Sequence, residues 1–215
     1  MTPPDIYWKT FLTHEKLEEF IDAKGRLMAE PLVTTLVHVK RDESLLLGLK
    51  KRGLGCGKWN GFGGKVEVGE TVQQGARREL EEECGLRVNE EDLLFQGLLQ
   101  YTFHSRRPLH VWVYLVPWHA VSADTIKETD EMVPQWFRFE DLPWAQMWDD
   151  DLLWLPTWWE TLPAACTFHL HCHFESIDGK IEGSWIGTVD LDPAVEDRTG
   201  PLEDENKSPQ RGSGL

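Results

Sequence analysis

Long hydrophobic runs are missing from this 215-residue chain. Nothing approaches the roughly 18 consecutive apolar residues that a membrane-spanning helix needs, so no membrane association is expected. The opening "MTPPDIYWKTFLTHEKLEEF" also lacks the basic start and apolar core of a secretory signal. Cysteine is scarce, and Cys56, Cys84, Cys166 and Cys172 never fall in a CxxC spacing, which argues against both a zinc site and a disulfide scaffold. A reducing, cytoplasmic setting is expected, with the nucleus or mitochondrion as alternatives. Positive charge is short as well: 22 Lys and Arg stand against 37 Asp and Glu, for a net charge of -15. No basic stripe offsets that balance, so a nucleic-acid polymer is not an expected partner.

What is present suffices for one core, since 40% of the residues are hydrophobic and 11% aromatic. The reading is an N-terminal helical extension over 1–31, a single domain over 32–192 and a disordered acidic tail over 193–215, where hydrophobic periodicity gives way to Pro, Gly and charge. Within the extension, "LTHEKLEEFIDAKG" spaces Leu17, Phe20 and Ile21 as a helix does. Strand candidates follow at "LVTTLVHV", "SLLLGLK", "LLQYTF", "HVWVYLVP" and "QWFRF", and "TFHLHCHFES" and "GSWIGTVDL" bracket an "IDGK" turn as a hairpin would. Strands interleaved with few helices predict an α+β or layered α/β domain, and a monomer is expected.

The stretch "GGKVEVGETVQQGARRELEEECGL", from Gly63, packs six glutamates beside a strong helix signal. Thr71 and Gln74 form a capping box, Gly85 supplies a stop, and Val72, Ala76 and Leu80 repeat as a buried stripe, so the spacing predicts a helix from Val72 to Cys84. At about 100° per residue, Glu79, Glu82 and Glu83 fall on one face of it. Such a face repels itself unless a cation compensates, and hard divalent ions take carboxylate oxygens of this kind. A solvated acidic face is the plainer alternative.

The spacing decides between them. Gly64, Glu70, Arg78, Glu79, Leu80, Glu82, Glu83, Gly85 and Leu86 reproduce the pattern G-x5-E-x7-R-E-U-x-E-E-x-G-U without departure, and by it the chain resembles the Nudix hydrolases. "KKRGLGCGKWNGFGGKVEVGET", "DEMVPQWF" and "MWDDD" are similar to segments of the oxidised purine nucleoside triphosphatases among them, the MutT homologues of eukaryotes. The resemblance spans about positions 33 to 190. It implies a Nudix fold, an α/β/α sandwich around a mixed β-sheet. It implies Mg²⁺-dependent hydrolysis, with Mn²⁺ as a possible substitute, of oxidised purine nucleoside triphosphates to the monophosphate and pyrophosphate, sanitising the nucleotide pool. By the same resemblance Glu79, Glu82 and Glu83, with the Gly63 carbonyl and Glu131, hold metal and serve the attacking water, and Arg78 and Glu70 orient those carboxylates.

For the base, the resemblance points to Trp148 as a stacking face and to Asp150 and Asp151 as the reading pair, joined by Asn60. Thr35, Tyr101, Phe103 and Met132 correspond to pocket-lining positions, and for Thr35, Tyr101 and Phe103 plain core packing is the alternative. Two adjacent carboxylates seldom both ionise, so one can donate while its neighbour accepts. Lys50 stands where it can meet phosphates, or is a solvated lysine. The chain departs from these relatives at Asp149, where they carry proline, and at Leu54 and Tyr101, where they carry phenylalanine.

Two features compete for attention. His169, His171 and His173 alternate along a strand and so share one face, which reads as packing or surface rather than metal. The 11 tryptophans, dense in "LLWLPTWWETL", read as core rather than as a platform for single strands. Rival functions are hydrolysis of another nucleoside diphosphate derivative, such as ADP-ribose or a dinucleoside polyphosphate, and nucleotide sensing without turnover.

Overall fold

The computed structural model describes residues 31–104, 106–121, 126–161, 166–174 and 181–190. The expected helix at 12–25, the tail and the "IDGK" turn lie outside these residues. One mixed sheet organises the rest. Its strands are β1 (Leu32–Arg41), β2 (Ser44–Lys50), β3 (Trp59–Asn60), β4 (Leu94–Phe103), β5 (Arg106–Pro117), β6 (Met132–Arg138), β7 (Cys166–Phe174) and β8 (Ile181–Asp190). They run β3-β2-β1-β5-β4-β7-β8, with β6 paired to β2. The β1–β5 and β4–β7 pairs are parallel and the others antiparallel, the expected mixed pairing.

Among the described residues, each face carries one α-helix. Strand β2 is a run of leucines because both of its faces are covered: Leu45 and Leu47 enter one core cluster and Leu46 the other. On β1 the alternation sends Leu36 to the first cluster and Val37 and Val39 to the second. Helix α1 (Val72–Cys84) lays Val72, Ala76 and Leu80 on the second cluster. Helix α2 (Asp151–Thr161) closes the first with Trp154, Leu155 and Trp158. The result is the α/β/α sandwich that the resemblance implies.

Helix α2 is a feature that the sequence reading left unassigned. Pro156 inside it lacks the N–H for the Leu152 carbonyl, a strong argument against a helix taken alone. Asp151, Trp154, Leu155 and Trp158 nevertheless form an i, i+3, i+4, i+7 buried stripe, while Leu152, Leu153 and Glu160 are exposed. Burial of two tryptophans and a leucine outweighs one missing hydrogen bond. Among the described residues, no helix is long and apolar enough to cross a membrane.

Candidate active site

The carboxylates are aimed by the two ends of α1 and by its buried stripe. At the start, the Thr71 hydroxyl accepts from the Gln74 N–H at 3.1 Å and the Gln74 side chain accepts from the Thr71 N–H at 3.1 Å, the predicted capping box. At the end, Gly85 adopts φ 78° and its N–H reaches the Glu81 carbonyl at 2.8 Å. The stripe sets the rotation of the helix, turning Glu79 and Glu83 toward the segment that follows β3. That segment bridges to β1: Val37 and Phe62 exchange backbone hydrogen bonds at 2.6 and 2.9 Å, and the Thr35 N–H reaches the Gly64 carbonyl at 2.9 Å.

Two glycines make the approach possible. Gly63 has φ 155°, and a Cβ there would stand 2.1 Å from the Thr35 carbonyl oxygen. At Gly64 a Cβ would stand 2.5 Å from Glu79 Oε1, so the carboxylate fills the place of a side chain. Glu83 is nearly sealed, with 1% side-chain exposure; its Oε2 accepts from the Gly63 N–H at 2.8 Å and its Oε1 from Lys50 Nζ at 2.6 Å. The third carboxylate differs: the Glu82 side chain is 59% exposed, at the rim of the group.

Arg78 ties the set together. It grips Glu70 with two nitrogens at 3.1 and 2.7 Å, and its third donates to Glu79 at 2.9 Å and Glu82 at 3.1 Å. The Arg78 hydrogen bonds hold Glu70 below its ordinary carboxylate value. Glu131 contacts Lys50 at 3.4 Å and pairs with Arg52, whose hydrogen bond lowers its pKa.

Burial raises the pKa of Glu79 despite Arg78, and raises that of Glu83 despite Lys50 and the Gly63 N–H. Burial acts against Lys50 too, yet Glu83 and then Glu131 hold its ammonium above the ordinary lysine value. The two partners thus shift in ways that disagree about how well the pair is matched; the 2.6 Å contact is that of an ion pair whose acid remains undercompensated. Among the described residues, no three His, Cys, Asp or Glu side chains already converge as a metal cluster. Lys50 and Arg78 occupy the carboxylate oxygens instead. The buried, undercompensated oxygens of Glu79 and Glu83 beside a side-chain-free glycine turn fit an oxygen-preferring divalent cation, which they would hold with the exposed Glu82 and the Gly63 carbonyl.

Beside them opens a cavity of about 480 Å³. Thr35, Lys50, Asn60, Gly63, Tyr101, Phe103, Met132, Trp148, Asp150 and Asp151 all line it, so it gathers residues that the sequence nominated from six segments of chain. Asp150 and Asp151 stand at the start of α2, 6% and 3% exposed. The Tyr101 hydroxyl donates to Asp150 Oδ2 at 2.6 Å, and the Trp148 N–H donates to Asp151 Oδ2 at 3.1 Å. Burial raises both acids, Asp151 well above the ordinary range because the charge of Asp150 adds to the cost.

Sequence reasoning missed Lys58, Gly55 and Phe174 in this wall. Lys58 Nζ donates to the Met147 carbonyl at 2.8 Å and lies 5.0 Å from the Trp148 ring, fixing the stacking face. A Cβ at Gly55, where φ is +78°, would come within 2.8 Å of the same ring. The glycine-rich "GLGCGK" was the available signal. His171 and His173 stand within hydrogen-bonding distance of the Thr102 hydroxyl, at 3.0 and 2.9 Å.

A profile described as NUDIX domain matches residues 30–157. The chain belongs to the Nudix family. An oxidized purine nucleoside triphosphate hydrolase of Danio rerio is 48% identical over 127 residues, covering 57% of this chain and 76% of the relative. The enzyme of the same name from Mus musculus is 44% identical over 133 residues, covering 60% of this chain and 80% of the relative. A MutT protein from Bacillus halodurans superposes with a TM-score of 0.59 at 18% identity, over 72% of this chain and 97% of its own, a likeness of fold. As a Nudix hydrolase, the chain is an enzyme with a divalent-metal requirement.

Proposed function

We propose that this Nudix hydrolase splits oxidised purine nucleoside triphosphates, of the 8-oxo-dGTP and 2-hydroxy-dATP type, into the monophosphate and pyrophosphate with Mg²⁺. One observation carries the reading. Gly63, Gly64 and Lys50, which touch Glu83 and Glu79, line the same cavity as Asp150 and Asp151. Phosphate chemistry and base recognition therefore share one chamber.

Within it, Asp150, Asp151 and Asn60 supply donors and acceptors for a purine edge, and Trp148 supplies a face for its ring. Thr35, Phe103 and Met132 form apolar or neutral wall, excluding water from the base. A divalent ion bound by the α1 carboxylates supplies charge neutralisation on the phosphate oxygens and lowers the pKa of attacking water. Glu79 and Glu83 hold and orient that end of the substrate, and Arg78 with Glu70 keeps the carboxylates in place. With a cation on Glu83, Lys50 would be free to meet a phosphate oxygen, and Glu131 stands beside it at 3.4 Å. The net charge of -15 supports free nucleotides over polymers as substrates.

The test is kcat/KM with Mg²⁺ for 8-oxo-dGTP, 2-hydroxy-dATP and unmodified dGTP, with products separated by chromatography. Preference for an oxidised nucleotide with release of monophosphate and pyrophosphate is expected. Slow, unselective turnover of all three would remove the substrate assignment and leave the hydrolase.

A further inference from the structure

Tyr101 projects from β4 into the cavity, its ring edge-on to Phe174 at 5.6 Å between centroids. Its hydroxyl is spent on Asp150 Oδ2, 2.6 Å away. A hydrogen bond accepted by a carboxylate favours the ionised form. Burial, then the charge of Asp150, pushes the Tyr101 phenol well above its ordinary value, so its O–H remains a donor. Asp151 accepts a longer bond from the Trp148 N–H, at 3.1 Å, and although the Trp154 indole also favours its charge, burial and the charge of Asp150 hold it well above the ordinary range. Two adjacent carboxylates in so dry a place share one proton, and the bonding pattern leaves it on Asp151.

The other titratable neighbours do not reverse that order. Lys58 lowers both aspartates, and so does not choose between them. Asp149 opposes charge on Asp150 but lies on the same turn without the burial of its neighbours. Cys172, from β7, is pushed up to about 12 by burial and is a neutral thiol.

We propose that the Tyr101 hydroxyl fixes the order of the reading pair, Asp150 as acceptor and Asp151 as donor, and thereby commits the cavity to one of two purine edge types. The proposal rests on the purine reading above. A keto edge presents a carbonyl oxygen beside a ring N–H, whereas an amino edge presents N–H beside a ring nitrogen acceptor. In one pose these edges demand opposite orders of the pair. Reading the disfavoured edge moves the proton onto Asp150 against the Tyr101 bond. A hydrogen bond to a charged group corresponds to about tenfold or more in discrimination.

Two measurements test it. In the first, kcat/KM for 8-oxo-dGTP and 2-hydroxy-dATP is compared in the wild type and in Tyr101→Phe, which keeps the ring and removes the hydroxyl. The wild-type ratio is expected to stand about tenfold from unity, and the variant to move at least about fivefold toward it. An equal loss on both nucleotides would overturn the proposal while leaving the substrate class intact. The second reads side-chain carboxyl carbons by NMR in the full-length wild-type protein, and needs neither turnover nor a variant. Asp150 ionised beside a protonated Asp151 is expected; a protonated Asp150, or two ionised acids, overturns the proposal. Refusal of both nucleotides would count against the substrate class alone, since the carboxyl signals decide the order independently.

Discussion

Glu83 combines near-complete burial with a single lysine partner, which makes it the carboxylate with most to gain from a cation. Glu83→Gln keeps the shape and removes the charge. We expect hydrolysis to fall by about a thousandfold, about 4 kcal/mol of transition-state stabilisation, with nucleotide binding largely retained. Single-turnover rates and equilibrium binding of a non-hydrolysable analogue separate the two; a wild-type rate would remove Glu83 from the metal set. Glu70 has the opposite electrostatics. Its folded pKa is lowered first by the Arg78 hydrogen bonds, so its stabilisation is present above the ordinary carboxylate value and lost as pH falls through the folded one. Thermal melts should therefore find Glu70→Gln destabilising at neutral pH and progressively less so at a pH well below the ordinary carboxylate range. Equal destabilisation at both would mean that the Arg78 pairing contributes nothing. A pairing of Glu70 with Arg78 was implied by the family resemblance, whereas the Lys50–Glu83 contact was not. Lys50 and Glu83 are 33 positions apart, and only the β2–α1 packing brings them within 2.6 Å.

Helix α1 was legible to its ends because every signal for it is local. The capping box spans four residues, Gly85 takes the left-handed φ, and the stripe repeats within the helix. Thr71→Ala should cost about 1 kcal/mol in a denaturant titration, with hydrolysis preserved. The adjoining turn is less forgiving. Gly63→Ala puts a Cβ against the Thr35 backbone in a positive-φ conformation, and neither can give way, so we expect loss of more than about 3 kcal/mol or no folding. A stable, active Gly63→Ala protein would refute the close approach. Helix α2 is the contrasting element. Pro156 and the unbroken aromatic run hide its period, and its stripe has meaning only against the sheet face formed by Leu36, Leu99 and Leu170.

In the assembled molecule α1 carries the carboxylates, Asp150 and Asp151 stand at the start of α2, and Gly63, Gly64 and Lys50 join the carboxylates to the cavity that the two aspartates line. Trp154→Ala empties the core beneath Asp151, so we expect about 3–5 kcal/mol of destabilisation together with eroded discrimination between bases. Intact discrimination in a destabilised variant would show that α2 holds Asp151 without Trp154. Divalent binding should stabilise the whole fold, since the cation relieves Glu79 and Glu83, whose raised folded pKa values mean that they oppose folding at neutral pH. At a hundredfold excess over Kd the gain is about 2.7 kcal/mol, roughly 5–10 °C in Tm, and Glu83→Gln should lose most of it. An unchanged Tm with Mg²⁺ or Mn²⁺ would reject the carboxylate group as a cation site.

Local chemistry written in consecutive residues was determined by the sequence alone: the α1 boundaries, the carboxylate spacing and, through the motif, the reaction class. Strand pairing, the setting of α2 and the donor to Asp150 were decided by tertiary structure. Tyr101 and Asp150 are 49 positions apart. No periodicity encodes their meeting, because a hydrogen bond across a cavity depends on where the sheet and a distant helix place their side chains.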